Sequence, residues 1–115
     1  VLLHDNTIAT HLYRIAQEAV SNAVKHGRAK TVKVSLAGGS NQLRLRIQDD
    51  GVGFPEELDE ETRGMGVRIM HYRARIIGAN LEISGALDGG TTLTCTLRNL
   101  DRPVPVGGEE YGKVG

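Results

Sequence analysis

A chain of 115 residues fits one domain and is long enough to bury a core without disulfide or metal staples. Equal counts of Lys+Arg and Asp+Glu, 14 each, exclude the broad basic field that a sequence-independent nucleic-acid binder needs, and a hydrophobic share of 39% excludes a wholly disordered segment. The single cysteine, Cys95, excludes an internal disulfide. No apolar run approaches the length that spans a bilayer and no signal peptide is visible, so a cytoplasmic domain without membrane contact of its own is expected, whatever anchor a longer parent protein carries.

With aromatics at 3%, the core must come from Val, Ile, Leu and Ala. Val1, Leu2 and Leu3 read as a short edge strand, and Asn6 and Thr7 as helix caps. Leu12, Ile15, Ala16, Ala19, Val20 and Ala23 fall on one helical face, so a long helix is expected from about residue 8 to 26, stopped by Gly27 in the left-handed conformation. Two half-buried strands follow. Val32, Val34 and Leu36 alternate with polar residues, as do Leu43, Leu45 and Ile47, and the AGGSNQ stretch between them reads as a hairpin turn.

Residues 51–64 combine Gly, Pro and acidic side chains and read as an exposed loop. Val67, Met70, Ala74 and Ile77 mark a second helix ended by Gly78. Leu81 and Ile83 mark a strand, and Leu93, Cys95 and Leu97, alternating with Thr92, Thr94 and Thr96, mark the last one. Cys95 is read as a small buried hydrophobe. Residues 101–115, rich in Gly, Pro and charge without periodicity, are expected to be a disordered tail or linker after a folded unit at 1–100. The pattern predicts a two-layer α/β sandwich, a mixed or antiparallel sheet with helices over one face.

Four segments carry chemistry. On the first helix Glu18 and Asn22 are one turn apart at the rim of the apolar stripe, with Lys25 and His26 beyond. An amide oxygen at such a rim can ligate magnesium, and a lysine can meet phosphate as a point charge. Asp49-Asp50-Gly51-Val52-Gly53 follows a strand, where a carboxylate can accept a hydrogen bond from an exocyclic amine and two glycines let a planar ring approach. Gly64-Met65-Gly66 opens the second helix, whose free N–H groups suit phosphate. Gly89-Gly90-Thr91-Thr92 precedes the last strand. Each has a plain structural reading when taken alone: a polar helix flank, an exposed turn, a loop-to-helix junction, a hairpin turn. His4, His11 and His71 lack metal-ligand spacing, and Arg68, Arg73 and Arg75 read as a solvated helix face.

Taken in order, the segments resemble the ATP-binding catalytic domain of bacterial sensor histidine kinases, in the superfamily of gyrase, heat-shock chaperone, mismatch-repair and histidine-kinase ATPases. LYRIAQEAVSNAVKHG (12–27) resembles the asparagine box of the nitrate-sensor-like subfamily, DDGVGF (49–54) the first glycine box, GMGVRIMHYRARIIGANLEI (64–83) the second with its helix, and GGTTLTCTL (89–97) the terminal box. The resemblance covers about residues 8–98 and implies a Bergerat-type ATP-binding fold with ATP and Mg2+ as cofactors.

It implies that Asn22 coordinates magnesium between the phosphates, that Asp49 receives the adenine amine, and that Gly51 and Gly53 shape the base pocket. Residues 54–63 would be the ATP lid. Gly64, Met65, Gly66 and Val67 would form its anchor and approach the phosphates. Thr92 would reach the adenine directly or through water, Lys25 and His26 would stand near the phosphates, and Glu18 would match the acidic position that orients an attacking water in the related ATPases. Asp50 replaces the commoner Asn of the first glycine box, an exchange expected to be tolerated.

The implied activity is transfer of the ATP γ-phosphoryl group to a histidine on a separate dimerisation and phosphotransfer domain, with a response regulator downstream. A gyrase- or mismatch-repair-type hydrolytic module, a serine-kinase anti-sigma factor and a non-enzymatic nucleotide sensor remain the alternatives. The short 54–63 segment and the structureless tail weigh against the first, the intact boxes against the last, and the helix wording against the second.

Overall fold

The computed structural model describes residues 6–39, 41–52, 64–85 and 89–98, and the backbone of 109–114. The expectations for Val1–Leu3, Gly53 and the 54–63 segment lie outside the described residues. Helix α1 spans Asn6–Lys25, strands β1 and β2 span Val32–Gly39 and Gln42–Asp49, helix α2 spans Met65–Ile76, and strands β3, β4 and β5 span Asn80–Gly85, Thr91–Arg98 and Glu109–Val114. The sheet order is β3-β4-β2-β1-β5, and every neighbouring pair is antiparallel.

The two central strands carry the core. Leu43, Leu45 and Ile47 of β2 face the same side as Leu93, Cys95 and Leu97 of β4, because these residues pair in register. Leu12, Ile15, Ala19 and Ala23 of α1 and Val67, Met70 and Ala74 of α2 close over them in one cluster. Each of these spacings is the helical one that buries a single face. Arg44, Arg46 and Gln48 occupy the alternate, exposed positions of β2. Cys95 is 1% exposed, and burial pushes its thiol up to about 11, so it stays protonated and inert.

Two terminations differ in kind. Helix α2 ends in a Schellman motif: Gly78 takes φ 71°, its N–H donates to the Arg75 carbonyl at 3.1 Å, and the Ala79 N–H donates to the Ala74 carbonyl at 2.8 Å. After α1 the left-handed residue is Arg28, with φ 54°, rather than the expected Gly27. The turn still closes, with the Ala29 N–H donating to the Ala23 carbonyl at 2.9 Å. Gly27 is needed for its missing side chain instead, since a Cβ there would come within 2.9 Å of the Ala23 carbonyl oxygen.

The tail requires a correction. Of the 101–115 segment expected to be disordered, Glu109–Val114 forms β5 on the outer edge of β1, with a register shift at Val34/Ser35. An open sheet edge presents a row of main-chain donors and acceptors, and pairing with it needs no apolar alternation in the added strand. Such a strand therefore carries no periodicity in its sequence.

Asp50 ties the end of β2 to the turn after α1. Its Oδ1 accepts the N–H groups of Lys30 at 2.8 Å and Thr31 at 2.9 Å, and its own N–H donates to the Thr31 carbonyl at 3.3 Å. The Thr31 bond foremost, with the Lys30 bond, holds this carboxyl below its ordinary value of 3.8. The expected tolerance of Asp for Asn has a physical basis, because an amide oxygen can accept the same two bonds. A depressed carboxyl stabilises the fold above pH 3.8 and loses that contribution as pH falls through its folded value. Thermal melts should show Asp50→Ala below Asp50→Asn at neutral pH, and the gap between wild type and Asp50→Asn closing below pH 3.8.

Candidate nucleotide site

The site grows from one glycine contact. Gly51 is buried directly after β2, and a Cβ on it would overlap the Gly27 carbonyl at the end of α1. That same carbonyl accepts the Val52 N–H at 2.8 Å, while the Gly27 N–H donates back to the Asn22 carbonyl at 3.0 Å. The strand end carrying Asp49 is thus held against the last turn of the helix carrying Asn22. The terminal glycine pair adds a third side. The Gly90 N–H donates to the Gly51 carbonyl, and a Cβ on Gly90, at φ 88°, would come within 2.6 Å of the Asp49 carbonyl oxygen. Only glycine fits such approaches, and at Gly90 only glycine takes the backbone without strain.

Asp49 is half-buried, and its Oδ1 accepts the Gly51 N–H at 2.8 Å. One carboxylate oxygen is therefore spent on orienting the group, which leaves the second to receive a ligand donor. Asn22 is half-buried on the same end of α1, and among the described residues no hydrogen bond holds its side chain. Among the described residues no group of three His, Cys, Asp or Glu side chains could hold a metal ion. A divalent ion here would depend on phosphate oxygens with one protein amide, which fits magnesium and its preference for few protein ligands.

The second glycine box meets the first helix through Glu18. A Cβ on Gly66 would come within 2.7 Å of Glu18 Oε1 and 2.9 Å of its carboxyl carbon, so the acidic side chain lies across the first turn of α2. Gly64 caps this helix at φ 96°, a conformation suited to glycine, and no side chain caps the free N–H groups. Met65 is 67% exposed, whereas Val67 is 1% exposed and points into the core. Val67 can therefore offer a ligand only its backbone. Lys25 and His26 are exposed where α1 ends.

The strand register puts Thr91 and Thr92 on opposite faces of the sheet. Asp49 pairs with Thr91, and Gln48 pairs with Thr92. Alternation along β4 puts Thr91 on the side of Leu93 and Cys95, facing the helices with Asp49, and puts Thr92 with Thr94 on the open face of the sheet. Two adjacent threonines cannot be told apart by type alone, and only the phase relative to Leu93 separates them. Arg73, expected on a solvated face, is half-buried, with its Nη1 3.1 Å from His11 Nδ1.

Comparison with known proteins places the chain in a family. Residues 7–101 match the family described as histidine kinase-, DNA gyrase B-, and HSP90-like ATPase. The chain is 36% identical over 90 residues to the oxygen sensor histidine kinase NreB of Staphylococcus carnosus, covering 78% of this chain and 26% of that protein. It is 39% identical over 88 residues to the nitrate/nitrite sensor protein NarX of Escherichia coli K12, covering 76% of this chain and 14% of that protein. It therefore spans about a quarter or less of these relatives.

Among solved structures, the histidine kinase domain of the Erythrobacter litoralis EL346 blue-light activated histidine kinase superposes with TM-score 0.70 at 28% identity, over 81% of this chain and 48% of that one. The ATP binding domain of PrrB from Mycobacterium tuberculosis superposes with TM-score 0.69 at 26% identity, over 80% of this chain and 69% of that one. The chain belongs to the histidine kinase-, DNA gyrase B- and HSP90-like ATPase family.

Proposed function

We propose that the chain is the nucleotide-holding catalytic domain of a cytoplasmic sensor kinase module, which binds Mg–ATP and presents the γ-phosphoryl group to a histidine on a separate dimerisation and phosphotransfer domain. A response regulator would take the phosphoryl group next. The observation that carries this reading is the meeting of Asp49, Gly51, Gly27 and Gly90 at one end of α1, with Glu18 laid over Gly66 alongside. The gyrase-type hydrolytic alternative would also employ Glu18, but the similarity to the oxygen sensor histidine kinase NreB and to the EL346 histidine kinase domain favours the kinase.

In this reading the free oxygen of Asp49 receives the adenine amine, and the Thr91 hydroxyl stands beside it on the paired strand. Gly51, seated against the Gly27 carbonyl, shapes one wall of the base pocket. Asn22 offers its amide oxygen to magnesium, and the uncapped N–H groups of Gly66 and Val67 face the phosphates. When bound, the divalent ion neutralises charge that develops on the transferring phosphoryl group. Lys25 adds positive charge at the open end of α1, and His26 stands beside it. Glu18 sits where it can orient the incoming nucleophile. Transfer of this kind depends on positioning and charge rather than on covalent chemistry by the protein.

Calorimetry should find ATP bound about 10- to 100-fold more weakly by Asp49→Asn, the loss expected for a bond to a charged acceptor, with the fold retained. Unchanged affinity would remove the adenine assignment. Thr91→Val should weaken ATP several-fold while Thr92→Val leaves it unaltered; the reverse order would restore the assignment to Thr92. In a complete kinase, Asn22→Ala should cut magnesium-dependent phosphotransfer by about 100-fold or more, and persistence of the reaction would displace the metal ligand from this position.

A further inference from the structure

The face of the sheet turned away from the helices carries unpaired charge. Alternation along β2 puts Arg44 and Arg46 on it, and the register places Arg98 of β4, paired with Gln42, on the same side. All three are exposed. Arg46 is two residues from Arg44 on one strand and Arg98 is its diagonal neighbour on the next, so both lie about 7 Å from it along the backbone. Among the described residues no hydrogen bond or ion pair engages any of the three side chains. Lys33 of β1, paired with Gln48, shares the face. Among the described side chains the one carboxylate there is Glu82 of β3, beyond Thr94, and it accepts from Asn80 Nδ2 at 3.2 Å.

Beside Arg44 the same face is hollow. Ala37 and Gly39 of β1 pair with Arg44 and Gln42, and with Gly38 they floor a trough of about 230 Å³ bordered by the Gln42 and Arg44 side chains. A Cβ on Gly39 would meet nothing within 4 Å, and Gly39 is not among the glycines at positive φ. Neither packing nor backbone requires glycine there, so the hollow is open space rather than a by-product of the hairpin. Like charges on adjacent strand positions repel, and an opposite charge from outside the domain relieves them. A guanidinium suits a carboxylate, which it can grip through two parallel bonds. The chain is neutral overall and Thr92 and Thr94 border the patch, so it offers neither the broad field that nucleic acid needs nor an apolar edge to enter a bilayer.

We propose that the outer face of β1, β2 and β4 is a docking surface for an acidic, extended protein segment. Alternate side chains of such a segment face the sheet with the two-residue spacing of Arg44 and Arg46. Two carboxylates pair with these arginines, and the next inward side chain, a small one, enters the trough beside Gln42, with Arg98 adding charge from β4. This face is opposite the one that Asp49 shares with the helices, so docking here leaves the nucleotide cleft open and does not rest on the function proposed above.

The test is amide NMR on the isotope-labelled chain at about 0.15 M salt, where exposed charges are screened beyond the nearest neighbours. The probes are an octapeptide of alternating Glu and Ala, an octapeptide of the same composition with its four glutamates consecutive, inorganic phosphate, and phosphatidylglycerol vesicles. The alternating peptide should shift the amides of Gly39, Arg44, Arg46 and Arg98 along one saturation curve and bind several-fold more tightly than the block peptide. Arg44→Glu should weaken it by about 5-fold or more. Gly39→Leu, which fills the trough at unchanged charge, should weaken it several-fold, and both variants should keep the wild-type thermal midpoint. Equal affinity for the two peptides, or wild-type affinity in Gly39→Leu, would overturn the docking of an extended segment. Phosphate or vesicles shifting the same amides at lower concentration than the peptide would overturn it in favour of a phosphate-bearing surface.

Discussion

The structure depends on a place where main chain touches main chain. Gly51 lies on the carbonyl of Gly27, and Gly90 lies on the carbonyl of Asp49, at distances no Cβ could occupy. These contacts are not apolar burial, and they add little area to the core. What they fix is position. The end of a strand, the end of a helix and the turn before another strand share a few ångströms of backbone, joined by N–H donors from Val52 and Gly90. A substitution at Gly51 would have to push α1 off β2, and the side chains of Asp49 and Asn22 would move apart with them.

Around that knot the molecule divides its labour. The layer of Leu, Ile and Val between helices and sheet supplies the hydrophobic stabilisation, which is proportional to area and indifferent to direction. Polar groups at its rim supply direction. Asp50 seals the strand end onto the turn after α1, Asp49 orients itself on the Gly51 N–H, and Glu18 bears on the first turn of α2. The outer face of the sheet, with Arg44, Arg46, Thr92 and Thr94, has no part in this arrangement.

Much of this was legible in the sequence because it has a period. Helical spacing from Leu12 to Ala23 and from Val67 to Ile77, and alternation in β1, β2 and β4, mark elements whose one face must be buried, and the helix bounds lie within about two residues of those expected. Motif order made the glycine boxes readable as one site. Features without a period escaped. Strand β5 adds by main-chain pairing alone. Gly27 looks like a left-handed helix stop, yet Arg28 takes that conformation and Gly27 serves close approach. Thr91 and Thr92 differ only in strand phase, and the phase that matters is set by the Asp49 pairing. The His11–Arg73 contact joins residues 62 apart, and no local pattern announces it.

The central claim is that four separated segments form one nucleotide site, and amide NMR on the isotope-labelled chain tests it most directly. On titration with Mg–ATP, the backbone amides of Gly27, Gly51, Gly66 and Gly90 and the Asn22 side-chain amide should shift along one saturation curve with a single dissociation constant. Shifts confined to one of these segments, or segments saturating at different concentrations, would contradict a shared site.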